Sequence, residues 1–167
     1  IMRKFFLITT VVTVLAGLSS AALFLLQPPE LGRLSELSKI IRSESGEVIN
    51  LRLTPSGHWR EPANINRVDQ QLVKMLVAYE DKRFWSHHGV DPFAIIRASL
   101  SLFQSGKVQS GASTLTMQTV KLMYPDLRQR TINNKLKQML YAIRLDAHWS
   151  KTKILEAYFT LAPYGGN

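Results

Sequence analysis

Residues 79–89 read YEDKRFWSHHG, an acid pair, two cations, adjacent aromatics and two histidines within eleven positions. What flanks this stretch decides the fold. Upstream, Leu72, Met75, Leu76 and Tyr79 recur at i, i+3, i+4 and i+7, so the spacing predicts an amphipathic helix with Asp69 as its N-cap. Downstream, Asp91-Pro92 puts a capping residue and an N1 proline in the order that opens a second helix. The stretch is therefore a charged turn between two helices. It is either a solvated run closing a helix or an assembled site.

The helical pattern continues to the C-terminal end. The second helix carries the apolar stripe Phe93, Ile96, Leu100 and Phe103, and Gly106 marks its end. Gly111-Ala112-Ser113-Thr114 is a loop leading into a third helix, Leu115 to about Tyr124. A fourth carries Leu136, Met139, Leu140, Ile143 and Ala147; Ser150 caps a fifth, stopped by Pro163 and Gly165-Gly166. Before these, residues 39–53 read KIIRSESGEVINLRL, in which Ile49, Leu51 and Leu53 alternate with Asn50 and Arg52 and Ser45-Gly46 supplies a turn. That is a β-hairpin pattern. The expected fold is mainly α with a small N-terminal β-hairpin, without internal repeat or low-complexity tract.

Residues 5–26, FFLITTVVTVLAGLSSAALFLL, hold 22 positions without a charge, and Gln27-Pro28-Pro29 ends the run. As a helix they reach about 33 Å at ~1.5 Å per residue, enough to cross a bilayer core. Arg3 and Lys4 would keep the start on the cytoplasmic side, which puts the rest outside that membrane. The competing reading is a cleaved signal peptide with Ser20-Ala21-Ala22 at the cleavage site, but the apolar run continues four residues further. The expected layout is a cytoplasmic tail at 1–4, one transmembrane helix at 5–26, a linker and hairpin region at 27–66, and a helical domain at 67–167. Ile1 precedes Met2 and the closing PYGGN reads as a loop, so the chain is expected to be a partial sequence.

Lys and Arg total 21 against 12 Asp and Glu, a net charge of +9 that favours an anionic partner. Export makes nucleic acid the wrong anion. There is no cysteine, which excludes disulfides and thiolate metal sites. Glu80 falls beside the expected buried stripe with Phe84 one turn on and Trp85 beside it; partial desolvation makes a carboxylate a better proton acceptor, and Arg83 opposes that. The bland alternative pairs Glu80 and Asp81 with Lys82 and Arg83 on the surface. His87 and His88 are adjacent and lack the i, i+4 spacing of a helical zinc pair, so a histidine orienting the turn before Gly89 is the better reading. In GASTLTMQ, 111–118, Ser113 or Thr114 caps the third helix, or the loop and helix start meet an anionic or sugar ligand; without GK[ST] it is no Walker loop. From 119 to 153 eight Lys/Arg face two acids, a solvated face or a phosphate-binding side that includes Lys121 and Lys135.

Together these stretches resemble the peptidoglycan glycosyltransferase domain of bifunctional penicillin-binding proteins, glycosyltransferase family 51. Its E-D-x-x-F-x-x-H-x-G motif is matched by Glu80, Asp81, Phe84, His87 and Gly89. G-G-S-T-[IL]-T-Q-Q with a following lysine is met by Gly111, Ser113, Thr114, Leu115, Thr116, Gln118 and Lys121. S-K-x-x-I-L-E-x-Y-L-N is met by Ser150, Lys151, Ile154, Leu155, Glu156 and Tyr158. The 135–151 and APYGG stretches look most like the 1C branch of that family. Ala112, Met117, Leu122 and Thr160 depart from it, and R-K-x-x-E appears as Asn134-Lys135-Leu136-Lys137-Gln138, with an amide in place of the glutamate.

The resemblance implies a lysozyme-like, mainly α lobe at the outer face of a bacterial inner membrane, with lipid II and the growing glycan strand in its cleft. Glu80 is expected as general base. Lys121 and Lys135 would bind pyrophosphate; Ser113, Thr114 and Gln118 would shape the donor side. Asp81, Phe84, His87, Gly89, Gly111, Gln138 and Glu156 are the supporting residues. A divalent cation (Mg or Mn) is compatible with the family, without residues to hold it in this chain, and other cell-wall synthesis proteins are compatible partners. A non-catalytic, membrane-bound binding or scaffold module and a lysozyme-type glycan-cleaving enzyme are the alternatives from other classes.

Overall fold

The computed structural model describes the backbone of residues 2–105 and 112–163 and the side chains of 10–101 and 112–163. In chain order these form helix α1 (Met2–Leu26), strands β1 (Lys39–Arg42) and β2 (Val48–Arg52), and helices α2 (Gln70–Glu80), α3 (Pro92–Ser105), α4 (Leu115–Met123), α5 (Ile132–His148) and α6 (Lys151–Leu161). The two strands form an antiparallel hairpin, with Lys39 opposite Arg52, Ile40 opposite Leu51, and a register shift between Ile41 and Arg42. Asp69 accepts from Gln71 N, Thr114 from Met117 N and Ser150 from Lys153 N, as the capping residues imply. Gly106, Gly111, Gly165 and Gly166 lie outside the described residues.

α4 is the centre of the fold. Leu115, Thr116, Met117, Thr119, Val120 and Met123 are all buried, so the helix is covered on nearly every side. Only Gln118, Lys121 and Leu122 of this helix are part-exposed, and α5 and α6 pack directly on it. Thr119 answers its own burial by donating to Leu115 O, 2.9 Å away. Phe84, Ala142, Leu145, Ile154 and Leu155 complete the dry interior.

The buried faces match the expected stripes only in part: Leu76 and Met139 are partly buried against the core, and the other described members are exposed. α2 buries Val73 and Val77, whereas Leu72, Met75 and Tyr79 are 47%, 62% and 88% exposed. α3 buries Ala94 and Ala98 and leaves Phe93, Ile96 and Leu100 outside; the side chain of Phe103 is not among those described. α5 buries Gln138, Ala142, Arg144 and Leu145, and exposes Leu136, Leu140 and Ile143. The shift is close to one residue, or about 100° of helix rotation. Each helix carries apolar residues on two faces, and the one turned inward holds the Val and Ala side chains of α2 and α3 and Ala142 of α5. Most of the larger Leu, Met and Phe side chains are left pointing away.

Two long-range ties position the segment that enters α2. Thr160 Oγ1 accepts Ala63 N at 2.9 Å, and Glu156 Oε1 accepts Ile65 N at 3.1 Å. The exit of α1 is docked on α5. Arg144 donates to Gln27 O at 2.9 Å and Pro28 O at 2.6 Å, and its guanidinium lies 4.4 Å from the Phe24 ring centre. Phe24 also meets Tyr141 at 5.0 Å, and Tyr124, whose hydroxyl is pushed up to about 12 by burial and then by Glu30, donates to Glu30 O at 2.6 Å. Among the described residues, no helix is long and apolar enough to cross a membrane.

Candidate active site

The charged turn is fixed at every step. α2 stops at Glu80 because Asp81 turns out of helical geometry, and its carboxylate is spent elsewhere: Oδ2 accepts Leu115 N at the start of α4 and lies 2.9 Å from His87 Nε2. Both partners are buried, so Asp81 joins the end of α2 to the start of α4. Phe84 is fully buried beneath the turn, with the Lys151 ammonium 4.8 Å from its ring centre. Lys151 also donates to His87 O at 2.6 Å and to Asp146 at 2.5 Å. His88 stays in solvent, 3.6 Å from Asp146.

Gly89 has φ +78°, and a Cβ there would sit 2.3 Å from Ala142 O on α5. Thr114 Oγ1 donates to Gly89 O at 2.6 Å while accepting Met117 N, so the cap of α4 also grips the turn. Arg83 forms a two-pronged pair with Asp91 and lies 4.5 Å above the Phe93 ring. Burial pushes the Asp91 carboxyl up, but Arg83 and the N–H groups of Ala94 and Phe93 outweigh it and hold the group below the usual carboxylate range.

Glu80 is what the turn leaves facing out. It is half-buried, and Gln118 Nε2 donates to its Oε2 at 2.7 Å from the second turn of α4. An amide beside a carboxylate must present its nitrogen, so the orientation is fixed by chemistry. Burial, and then the charge of Glu80, raise the Tyr158 hydroxyl, which puts α6 within electrostatic reach of the same carboxylate. Glu80 opens on a cleft of about 780 Å³ lined by Tyr79, Glu80, Asp81, Lys82, Arg83, Asp91, Ala94, Arg97, Ser113, Thr114 and Gln118. At its edge Lys135 donates to Ser113 Oγ. Burial, and then the charge of Lys121, lower the Lys135 ammonium below the usual lysine range.

The structure thus brings Glu80, Ser113, Thr114 and Gln118 to one cleft, with Lys135 joined to it through Ser113 and Lys121 beside Lys135. Asp81, Phe84, His87 and Gly89 lie beneath the turn. Glu156 serves the entrance to α2, and Gln138 is buried with its amide 2.6 Å from Leu127 O. Sequence reasoning missed Tyr158, Arg97 and the Arg83–Asp91 pair. Only the Glu156-x-Tyr158 spacing offered a signal, since cations on α3 look like any solvated helix charge. Among the described residues, no group of three or more His, Cys, Asp or Glu could hold a metal ion. A carboxylate held by an amide beside half-buried cations can accept a proton while an anion departs nearby.

The transglycosylase family model matches residues 45–167. Penicillin-binding protein 1C of Escherichia coli is 37% identical over 129 residues, 77% of this chain and 16% of the relative. Penicillin-binding protein 1A of the same organism is 34% identical over 164 residues, 93% of the chain and 19% of the relative. Penicillin-binding protein 1F of Bacillus subtilis is 36% identical over 129 residues, 77% of the chain and 17% of the relative. The chain therefore spans less than a fifth of the length of these curated relatives. A match over β2, the charged turn and all helices from α2 onward makes this chain a member of the transglycosylase family.

Proposed function

We propose that the chain is a peptidoglycan glycosyltransferase that polymerises lipid II into glycan strands. The observation that carries this reading is Glu80, held by Gln118 and opening on a cleft whose walls bear Lys82, Arg83 and Arg97. Glu80 takes the proton from the 4-hydroxyl of the acceptor GlcNAc. That oxygen attacks C1 of the donor MurNAc, the bond from C1 to the pyrophosphate oxygen breaks, and the configuration inverts from α to β. Undecaprenyl pyrophosphate leaves with the bonding electrons. A pyrophosphate needs its charge met more than it needs a proton, and Lys121 and Lys135 supply that charge. This separates the reaction from lysozyme-type cleavage, which needs a general acid for a poor leaving oxygen.

In this reading the helical body is a lysozyme-like lobe, and α1 is a single-pass anchor with its N-terminus in the cytoplasm. The site then faces the outer leaflet of the bacterial inner membrane. Substrate and leaving group both carry polyprenyl tails, so tethering raises the effective concentration of each at the cleft. Turnover of labelled lipid II in detergent, wild type beside Glu80→Gln, tests the proposal. General-base removal should cost on the order of 10²–10⁴-fold in rate. A folded wild type that binds lipid II without forming polymer would leave only a binding module.

A further inference from the structure

Two departures from the family pattern lie one helical turn apart on α5. Asn134 and Gln138 occupy the first and last positions of the R-K-x-x-E motif, and both are amides. Asn134 Nδ2 lies 3.2 Å from Asp126 O and 3.3 Å from Gln129 O, and Gln138 Nε2 lies 2.6 Å from Leu127 O. The three acceptors belong to the 3-10 turn Pro125–Arg128 and the residue after it. At i and i+4 the two side chains share one face of the helix and grip neighbouring carbonyls of one short segment. A carbonyl oxygen accepts a donor and repels a lone pair. An ionised carboxylate at 138 could not make the contact that Gln138 makes.

The segment so held is the link between α4 and α5. It follows Lys121 by four residues and precedes Lys135, and Leu127 anchors it in the core. Lys135 is tied to the cleft through Ser113 Oγ, and its proton affinity is lowered by burial and then by the charge of Lys121, a repulsion that pushes two unliganded ammonium groups apart. A slack link would let them separate. We propose that Asn134 and Gln138 form an amide clamp that fixes the distance between Lys121 and Lys135, making a pyrophosphate-binding pair that needs no carboxylate at position 138. This deepens the transferase reading and rests on it for the identity of the anion.

Gln138→Met, Gln138→Glu and Asn134→Ala in the full chain test the clamp, with inorganic pyrophosphate as the probe. Leaving one buried carbonyl unpaired should weaken pyrophosphate binding about tenfold. Hydrogen exchange should quicken over residues 125–135 and not in α6, and KM for lipid II should rise more than kcat falls. Gln138→Glu carries its own signature. A buried carboxyl facing a carbonyl has a folded pKa above its unfolded one, so its penalty is absent below the unfolded value and full above the folded value. Pyrophosphate affinity of Gln138→Glu should therefore recover toward wild type as pH falls, because the neutral carboxyl can donate; Gln138→Met should show no such recovery.

Asn134 is only part-buried at the outer end of the shared face, so Asn134→Ala keeps the test open if Gln138 variants fold poorly. Wild-type affinity and exchange in Gln138→Glu at neutral pH overturn the clamp, as does faster turnover with a second inflection in its pH profile. Wild type that binds pyrophosphate without polymerising lipid II overturns the transferase reading alone, since exchange and binding still judge the clamp.

Discussion

At the scale of single residues, the hydrogen bond from Gln118 to Glu80 decides how the carboxylate behaves. Gln118→Glu would set a second carboxylate against it, and two such groups at hydrogen-bond distance cannot both ionise freely. The pair would hold one proton, so the acidic limb of kcat/KM against pH should move upward by roughly a unit or more. An unmoved limb would show that Glu80 does not take the proton. Lys135 gives the second pH test. Its folded proton affinity lies below that of an unfolded lysine, so the unfolded chain binds more protons between the two values, and stability should rise with pH across that window. Pyrophosphate inhibition should move the other way. It should weaken at a pH below the ordinary lysine pKa of about 10.4, and Lys135→Arg should carry inhibition to higher pH. Titration of the inhibition constant measures both.

At the scale of elements, caps were legible and faces were not. Asp69, Asp91, Thr114 and Ser150 each bond to an N–H two or three residues on, so local sequence suffices to place them. Which face of α2 or α5 turns inward depends on what packs there. A periodicity count weights Leu and Met above Val and Ala, so it picks the larger side chains of α2 and α3 over the Val and Ala that are buried. Gly89 shows the same limit. Its motif position was visible, but the reason lies in the Ala142 carbonyl of α5, 53 residues away in sequence by subtraction of the two numbers. Gly89→Ala combines a left-handed backbone with that collision. It should cost roughly 2–5 kcal/mol of stability in urea unfolding, and a cost within ~0.5 kcal/mol would mean that α5 gives way easily.

At the scale of the whole molecule, the cleft was legible as a set of motifs and illegible as a division of labour. Glu80, Ser113 and Gln118 line one cleft, because Asp81 ties the end of α2 to the start of α4. Glu156 belongs to the same set of motifs and works at the entrance to α2, since only the tertiary path of residues 63–65 brings a backbone N–H to it. The junction between α1 and the body is the least visible in sequence. Arg144 sits toward the C-terminal end of α5, and its grip on Gln27 and Pro28 crosses 117 and 116 residues. Arg144→Leu should free that junction. Spin labels on α1 and α5 should then report a broadened distance distribution, with the thermal transition of the helical body little changed. A distribution as narrow as wild type would assign the docking to Phe24 and Tyr141 instead.

The ties from Thr160 to Ala63 and from Glu156 to Ile65 span 97 and 91 residues. A chain grows from its N-terminus, so the approach to Glu80 has no fixed footing until α6 has emerged. At ~5–20 residues per second, the 80 or so residues from Glu80 to Thr160 take roughly 4–16 s to make. For that interval the nascent protein carries Glu80 on a helix whose entrance is not yet tied down. Synthesis is its own timer, and a ribosome that stalls before α6 leaves the approach to Glu80 without its two anchors.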